Sequence, residues 1–293
     1  MVVEYTINNK DKTIKCVDFD GFIDQLNYIY SFIKNNTFNT AKEVDVSDDF
    51  YGSNNLLNTI EGMNYGFQKS TDYFLNCLEE VKKQDDSSDG VFMDYEGFAY
   101  DMGAFVSGEP ECCLNMGLPT PTPYIKILVD ISFPWYYSST QIFNRGIAIT
   151  NLVETLLINN YIVDLYAMEY NSQNCMDVMY TNKIDTRSLS ISNIAFMSSP
   201  EYFRKIGFIT IDKIRGKESE AGRGHSGMLG FMLNKIKKDK IFFISGGFTG
   251  ASNTHFETPQ RAIEWLLHSF NMYCVENKLN IALKNNNVDN TNI

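Results

Sequence analysis

YIKILVDIS, residues 124–132, and YIVDLYAMEY, residues 161–170, decide the fold, because of what lies between them. Ile125, Ile127, Leu128, Val129 and Ile131 follow one another almost without a polar break, the pattern of a strand covered on both faces. Residues 141–159 then set Ile142, Ile149, Leu152, Val153, Leu156 and Leu157 at helical spacing and stop at Asn159 and Asn160. A strand, a helix and a second strand at this spacing form a crossover unit, which makes the two strands parallel. The expected class is therefore α/β, an open, mostly parallel, doubly wound sheet with helices on both faces.

Downstream, CMDVMYTNKI (175–184) follows the tight NSQN turn and reads as an antiparallel edge strand. Residues 190–198 and 200–206 read as two short helices, the second started by Pro200. Gly207 is then expected to release the chain into a strand over 208–214, FITIDKI. KIFFISGG (240–247) supplies the last strand. Thr258 and Pro259 open a final helix to Asn277, and the polar end is expected to fray.

Upstream, VEYTI and TIKCVDF alternate as strands do, and Phe22, Leu26, Ile29, Phe32 and Ile33 share a helical face. Two amphipathic helices are expected over about 53–66 and 70–83. KKQDDSSDG (82–90) carries no apolar anchor and marks a boundary. The expected division is a mixed, mainly helical N-terminal region (1–90), an α/β domain (91–280) and a polar tail (281–293).

The 293 residues are 44% hydrophobic, enough to fill a core of this size. A net charge of -11 opposes global attraction to a phosphate backbone, so a nucleic-acid site would have to be local. The six cysteines show neither a CxxC pair nor zinc-ligand spacing, and MVVEYTINN has no signal-peptide character. No apolar run approaches the roughly 20 residues that span a bilayer. Reduced thiols and a cytoplasmic location without membrane contact are the expectation.

The candidate chemistry begins where the first strand ends, since open parallel sheets bind ligands beyond their carboxyl ends. Asp130 and Ser132 stand there, in DISFPWYYSST. With Ser138 they could offer oxygens to Mg2+ or Mn2+, although Pro134 holds the place of a further hydroxyl; the alternative is a turn with capping residues. Arg145 could meet a phosphate or lock the strand-to-helix crossover as a buried ion pair.

A second candidate is the glycine-rich loop around Arg223, His225 and Ser226. Between Asp212 and Lys240, eight basic residues face four acidic ones, reversing the sign of the whole chain. Arg215, Arg223, His225, Lys237 and Lys238, with Arg145, are the candidate contacts for a protein or nucleic acid. The alternative is a solvated loop. His255 with Glu257 could form a catalytic pair but has no nominated nucleophile, and His268 reads as a packed imidazole on the last helix.

GMNYG (62–66), DMGAFVSGEPECC (101–113), ILVDIS with NRGIAITNLVETLLINNY, and PEYFRKIGF (200–208) resemble an uncharacterised family encoded by phages and related mobile elements. Its plan looks von Willebrand A-like (Rossmann-type). The resemblance covers about three quarters of the chain and implies that Gly108, Pro110, Glu111, Arg145, Gly146 and Gly207 belong to a signature. It implies a host-cytoplasmic protein and carries over no activity.

The expected function is a non-catalytic phage accessory protein that binds a phage or host protein and needs no cofactor. It would act in transcription, replication or DNA processing if the basic loop touches nucleic acid. The alternatives are a metal-dependent enzyme acting on nucleotides or phosphate esters, and a virion structural protein.

Overall fold

The computed structural model describes residues 1–9, 12–35, 124–133, 136–159, 161–173, 176–186, 191–216, 238–246 and 253–279. It also describes short pieces at 59–60, 63, 72, 75–76, 93–94, 99–100, 113–114, 236 and 281. Among them one mixed α/β sheet of six strands dominates. It is built from β1 (Val2–Asn9), β2 (Lys12–Phe19), β6 (Tyr124–Asp130), β7 (Ile162–Gln173), β8 (Met176–Ile184) and β9 (Phe242–Ile244). Three two-residue strands, β3 (Met93–Asp94), β4 (Ala99–Tyr100) and β5 (Cys113–Leu114), make a separate small sheet.

The main order is β1-β2-β8-β7-β6-β9. β6 pairs in parallel with β7, from Tyr124↔Ile162 to Asp130↔Met168, and in parallel with β9 on its other side. The helix that crosses between β6 and β7 is α2 (Ser139–Ile158), as its apolar spacing requires. Ile142, Ile149, Leu152, Val153 and Leu156 are buried in one cluster with Ile125, Ile127 and Val129, the residues of β6 that share a face.

α1 (Phe22–Asn35), α3 (Ile191–Met197), α4 (Phe208–Arg215) and α5 (Pro259–Glu276) contribute to that same cluster. Phe270 of α5, for instance, meets Phe242 of β9 edge-on at 5.1 Å. The opposite face is also dry: Ile14, Cys16, Leu128, Met168, Tyr170 and Met179 form a second buried cluster, joined by the helical residue Ile236. Burial on both faces explains the unbroken apolar run of β6.

Four expectations change. First, the beginning of the chain does not stand apart as part of a mainly helical region. β2 lies in parallel beside β8, from Thr13↔Met176 to Phe19↔Asn182, and β1 pairs antiparallel with β2, so the main sheet crosses the expected boundary at residue 90. The expected helices over 53–66 and 70–83 fall outside the described residues except at scattered helical positions, and KKQDDSSDG and the tail lie outside altogether.

Second, β8 is antiparallel to β7 as expected but is an interior strand, since β2 occupies its other side. Third, FITIDKI is helical. Its alternating β-branched residues mimic a strand, yet Ile209, Thr210, Ile211, Asp212 and Ile214 are all buried, and tertiary burial overrides a weak local preference. The Thr210 hydroxyl returns to the Ile206 carbonyl one turn back (2.7 Å), and Gly216 closes the helix in the left-handed region.

Fourth, Gly207 releases nothing: it ends a π-helical segment, Tyr202–Gly207, that runs directly into α4. A Cβ there would lie 2.3 Å from Glu169 Oε2 and 2.9 Å from the Tyr180 hydroxyl, so the glycine exists to let the helix approach the sheet. Pro200 does start this helical run, with Ser199 Oγ accepting from the Tyr202 amide (3.1 Å). Of the expected last strand, 240–247, the described residues 240–246 form a strand at Phe242–Ile244.

Candidate functional site

At the carboxyl end of β6, Asp130 is buried and turned back on its own chain. Its Oδ1 accepts from the Ser132 amide (3.0 Å) and from the Ser132 hydroxyl. Gly246, just past β9, presses on this turn: a Cβ there would stand 2.2 Å from the Ser132 carbonyl oxygen and 3.0 Å from Asp130 Oδ2. Asp130 and Ser132 are therefore together, as expected, but each satisfies the other.

Ser138 is used at the next element. Its hydroxyl accepts from the Gln141 amide (3.3 Å) while the Gln141 side chain accepts from the Ser138 amide (3.0 Å), a reciprocal cap for α2. Magnesium needs about six oxygens in near-octahedral array. The three expected donors supply one carboxylate and two hydroxyls, fewer oxygens than such an ion takes, and each also makes a hydrogen bond within the fold. Among the described residues no group of three or more His, Cys, Asp or Glu side chains is placed to hold a metal.

Arg145 lies fully inside, two turns along α2. Its Nη2 donates to the carbonyls of Asp130 (2.8 Å), Ile244 (3.1 Å) and Ser245 (2.8 Å), and its guanidinium carbon sits 4.9 Å from the centre of the Phe133 ring. One terminal nitrogen thus ties the ends of β6 and β9 to the crossover helix. Loss of water pulls its pKa down to about 10, against the opposing pull of Asp130 and Tyr137. Of the two readings of Arg145, the locking role matches this geometry, with backbone carbonyls in place of a carboxylate partner.

The basic segment is only partly described. Arg215, at the end of α4, is buried and donates to Asn171 Oδ1. Lys238 is exposed; Arg223, His225 and Lys237 lie outside the described residues. The expected His255–Glu257 pair is not formed. His255 stacks on Trp265 at 5.9 Å, and Glu257 is bonded to Arg261 at 2.5 Å. His268 is exposed rather than packed. It shares a shallow concavity of about 620 Å³ with His255, Arg261, Glu264 and Trp265.

A larger buried polar group has no counterpart in the sequence reading. Gln25 of α1 donates to Thr210 of α4 (2.9 Å) and accepts from Asn182 of β8 (2.8 Å) and from the Tyr202 hydroxyl (2.9 Å). Beside it, Tyr180 donates to Glu169 (3.0 Å) under Gly207. Burial, then the Glu169 charge, drives the Tyr180 pKa well above its ordinary value. PEYFRKIGF marks one side of this group; the partner of its Tyr202 lies 177 residues away in the chain, beyond any local pattern. At the far end of the sheet a cavity of about 590 Å³ is bordered by Asp20, Phe22, Asp164, Lys183, Asp185 and Asn193, with Lys183 3.3 Å from Asp164.

The fold and these strand ends define a mixed α/β protein whose six-stranded sheet is locked from within by one arginine. Over residues 10–264 the chain matches the family DUF7192, a domain of unknown function, and it belongs to that family. No curated protein and no solved structure matches it. No helix among the described residues is long and apolar enough to cross a membrane.

Proposed function

We propose that this chain is a non-catalytic accessory protein that offers a rigid α/β platform to a protein partner. One observation carries the reading: the polar side chains at the carboxyl ends of β6 and β9 are bonded to the fold itself, Arg145 to three carbonyls and Asp130 to Ser132. Groups held this way set shape and are not free to do chemistry.

The finer plan we assign is von Willebrand A-like, supported by the order β8-β7-β6-β9, in which β6 has parallel neighbours and β8 runs antiparallel to β7. With the resemblance to phage and mobile-element proteins, it supports a reading in which the protein acts in a host cytoplasm, in transcription, replication or DNA processing. Contact with nucleic acid would run through the segment that holds Arg223, Lys237 and Lys238, a basic island in a chain of net charge -11.

Isolation of the tagged protein from its native cell, through a salt wash, tests both parts. Retention of one protein at constant ratio is expected, and so is nucleic acid that disappears when Arg223, Lys237 and Lys238 are neutralised. Recovery of the chain alone would overturn the platform reading. Retained protein without nucleic acid at low salt would remove only the second part.

A further inference from the structure

The two edges of the main sheet are unlike. β9 has three residues and lies against α5, through Phe242 with Phe270 and Tyr273. β1 has eight, pairs residue for residue with β2 from Val2↔Phe19 to Asn9↔Lys12 without a bulge, and among the described residues has no second neighbour in the sheet. A strand in that position presents a row of backbone donors and acceptors to solvent. Natural edges are blunted by proline, lysine, bulges or shortness; VVEYTINN has none of these, and its sole charge is Glu4. Val2, Val3 and Tyr5 are each more than a third exposed, while Ile7 packs on the second cluster.

We propose that β1 is a homodimer interface, at which β1 of a second copy adds antiparallel and two six-stranded sheets become one. The occupant follows from the strand's own pattern. In an antiparallel pair related by a twofold axis, the centre must fall on a residue, because backbone groups point outward at every second position only. Centring on Glu4 sets two carboxylates opposite each other, which is unfavourable. Centring on Tyr5 sets Glu4 against Thr6 of the second copy, Val3 against Ile7, Val2 against Asn8 and Tyr5 against itself. Val3, Tyr5 and Ile7 share one face of the strand, so this register continues an apolar row across the junction and pairs seven residues. The interface is independent of the partner-binding reading above.

Sedimentation of the full chain over a concentration series is expected to show a reversible monomer–dimer equilibrium. Val3→Lys, at an exposed position, should weaken it at least about tenfold with unchanged circular dichroism and melting, because each copy loses a cross-strand pair and gains an edge charge. In a Cys16→Ser background, which removes the thiol directly across β2 from position 5, Tyr5→Cys should give an oxidised dimer, since the two β-carbons face each other at about 5 Å. Glu4→Cys should not, its copies being offset by two positions. A chain monomeric throughout the series, a dimer that Val3→Lys leaves intact, or equal cross-linking at positions 4 and 5 would each overturn the proposal.

Discussion

Gly246 and Gly207 both admit a neighbour where a side chain would stand, and the neighbours differ in kind. At Gly246 the obstructing atom is the Ser132 carbonyl oxygen, part of the backbone; at Gly207 it is the end of the Glu169 side chain. Gly246→Ala is therefore expected to cost about 3 kcal/mol, near the upper range for overpacking, and Gly207→Ala less, about 1–2 kcal/mol. Urea unfolding of the two variants checks the order. Arg145 presents the converse case. Arg145→Met keeps much of the volume but leaves three carbonyls without their donor, for an expected loss of about 3 kcal/mol, and Arg145→Lys should recover only part because the shorter lysine side chain does not carry its ammonium to the position of Nη2. Equal stability of the Met and wild-type chains would show that Arg145 is not a lock.

Elements were legible where the signal was local and long. The β6–α2–β7 unit is found as expected because twenty residues of α2 repeat one apolar period and Ser138 caps them; Ser138→Ala should lower the melting midpoint, at a cost of about 1 kcal/mol, without changing helix content at low temperature. α5 is found likewise, with Thr258 accepting from the Arg261 amide (3.3 Å). FITIDKI misleads because seven residues are too few to separate a strand from a helix buried on nearly every side. The place of β2 could not be read at all: its alternation foretells a strand, and nothing in residues 12–19 names β8 as the neighbour. Asp130 and Ser132 stand where β6 ends, as their strand pattern requires, and Arg145 lies two turns along α2 rather than at its start, while their use inside the fold depends on Ile244, Ser245 and Gly246, about a hundred residues later.

Across the whole molecule, half-buried phenols tie stability to alkaline pH. Burial, with Glu4 beside it, pushes Tyr28 up to about 12, and burial does the same for Tyr273. The folded state therefore holds these protons more tightly than the unfolded chain, whose tyrosines titrate near 10. Their contribution is complete below pH 10 and is lost as pH rises from 10 towards about 12. Denaturant midpoints measured up this range should fall, with the absorbance of ionised tyrosine appearing together with unfolding. Millimolar Mg2+ or Mn2+, by contrast, should leave the melting midpoint unchanged, since Asp130, Ser132 and Ser138 are already engaged; a clear upward shift would revive the metal reading.

The position of β2 has a consequence in time. It is made early, yet the strand it lies beside ends at Ile184, and that strand in turn needs β7. At the usual pace of synthesis, about 5–20 residues per second, the first 35 residues wait roughly 10–30 s before the ribosome has delivered what they fold against. Through that interval Val17, Phe19, Phe22 and Ile29, all destined for the core, are sticky nascent chain. The newborn protein thus carries uncovered apolar side chains for longer than one whose strands pair in the order they are born.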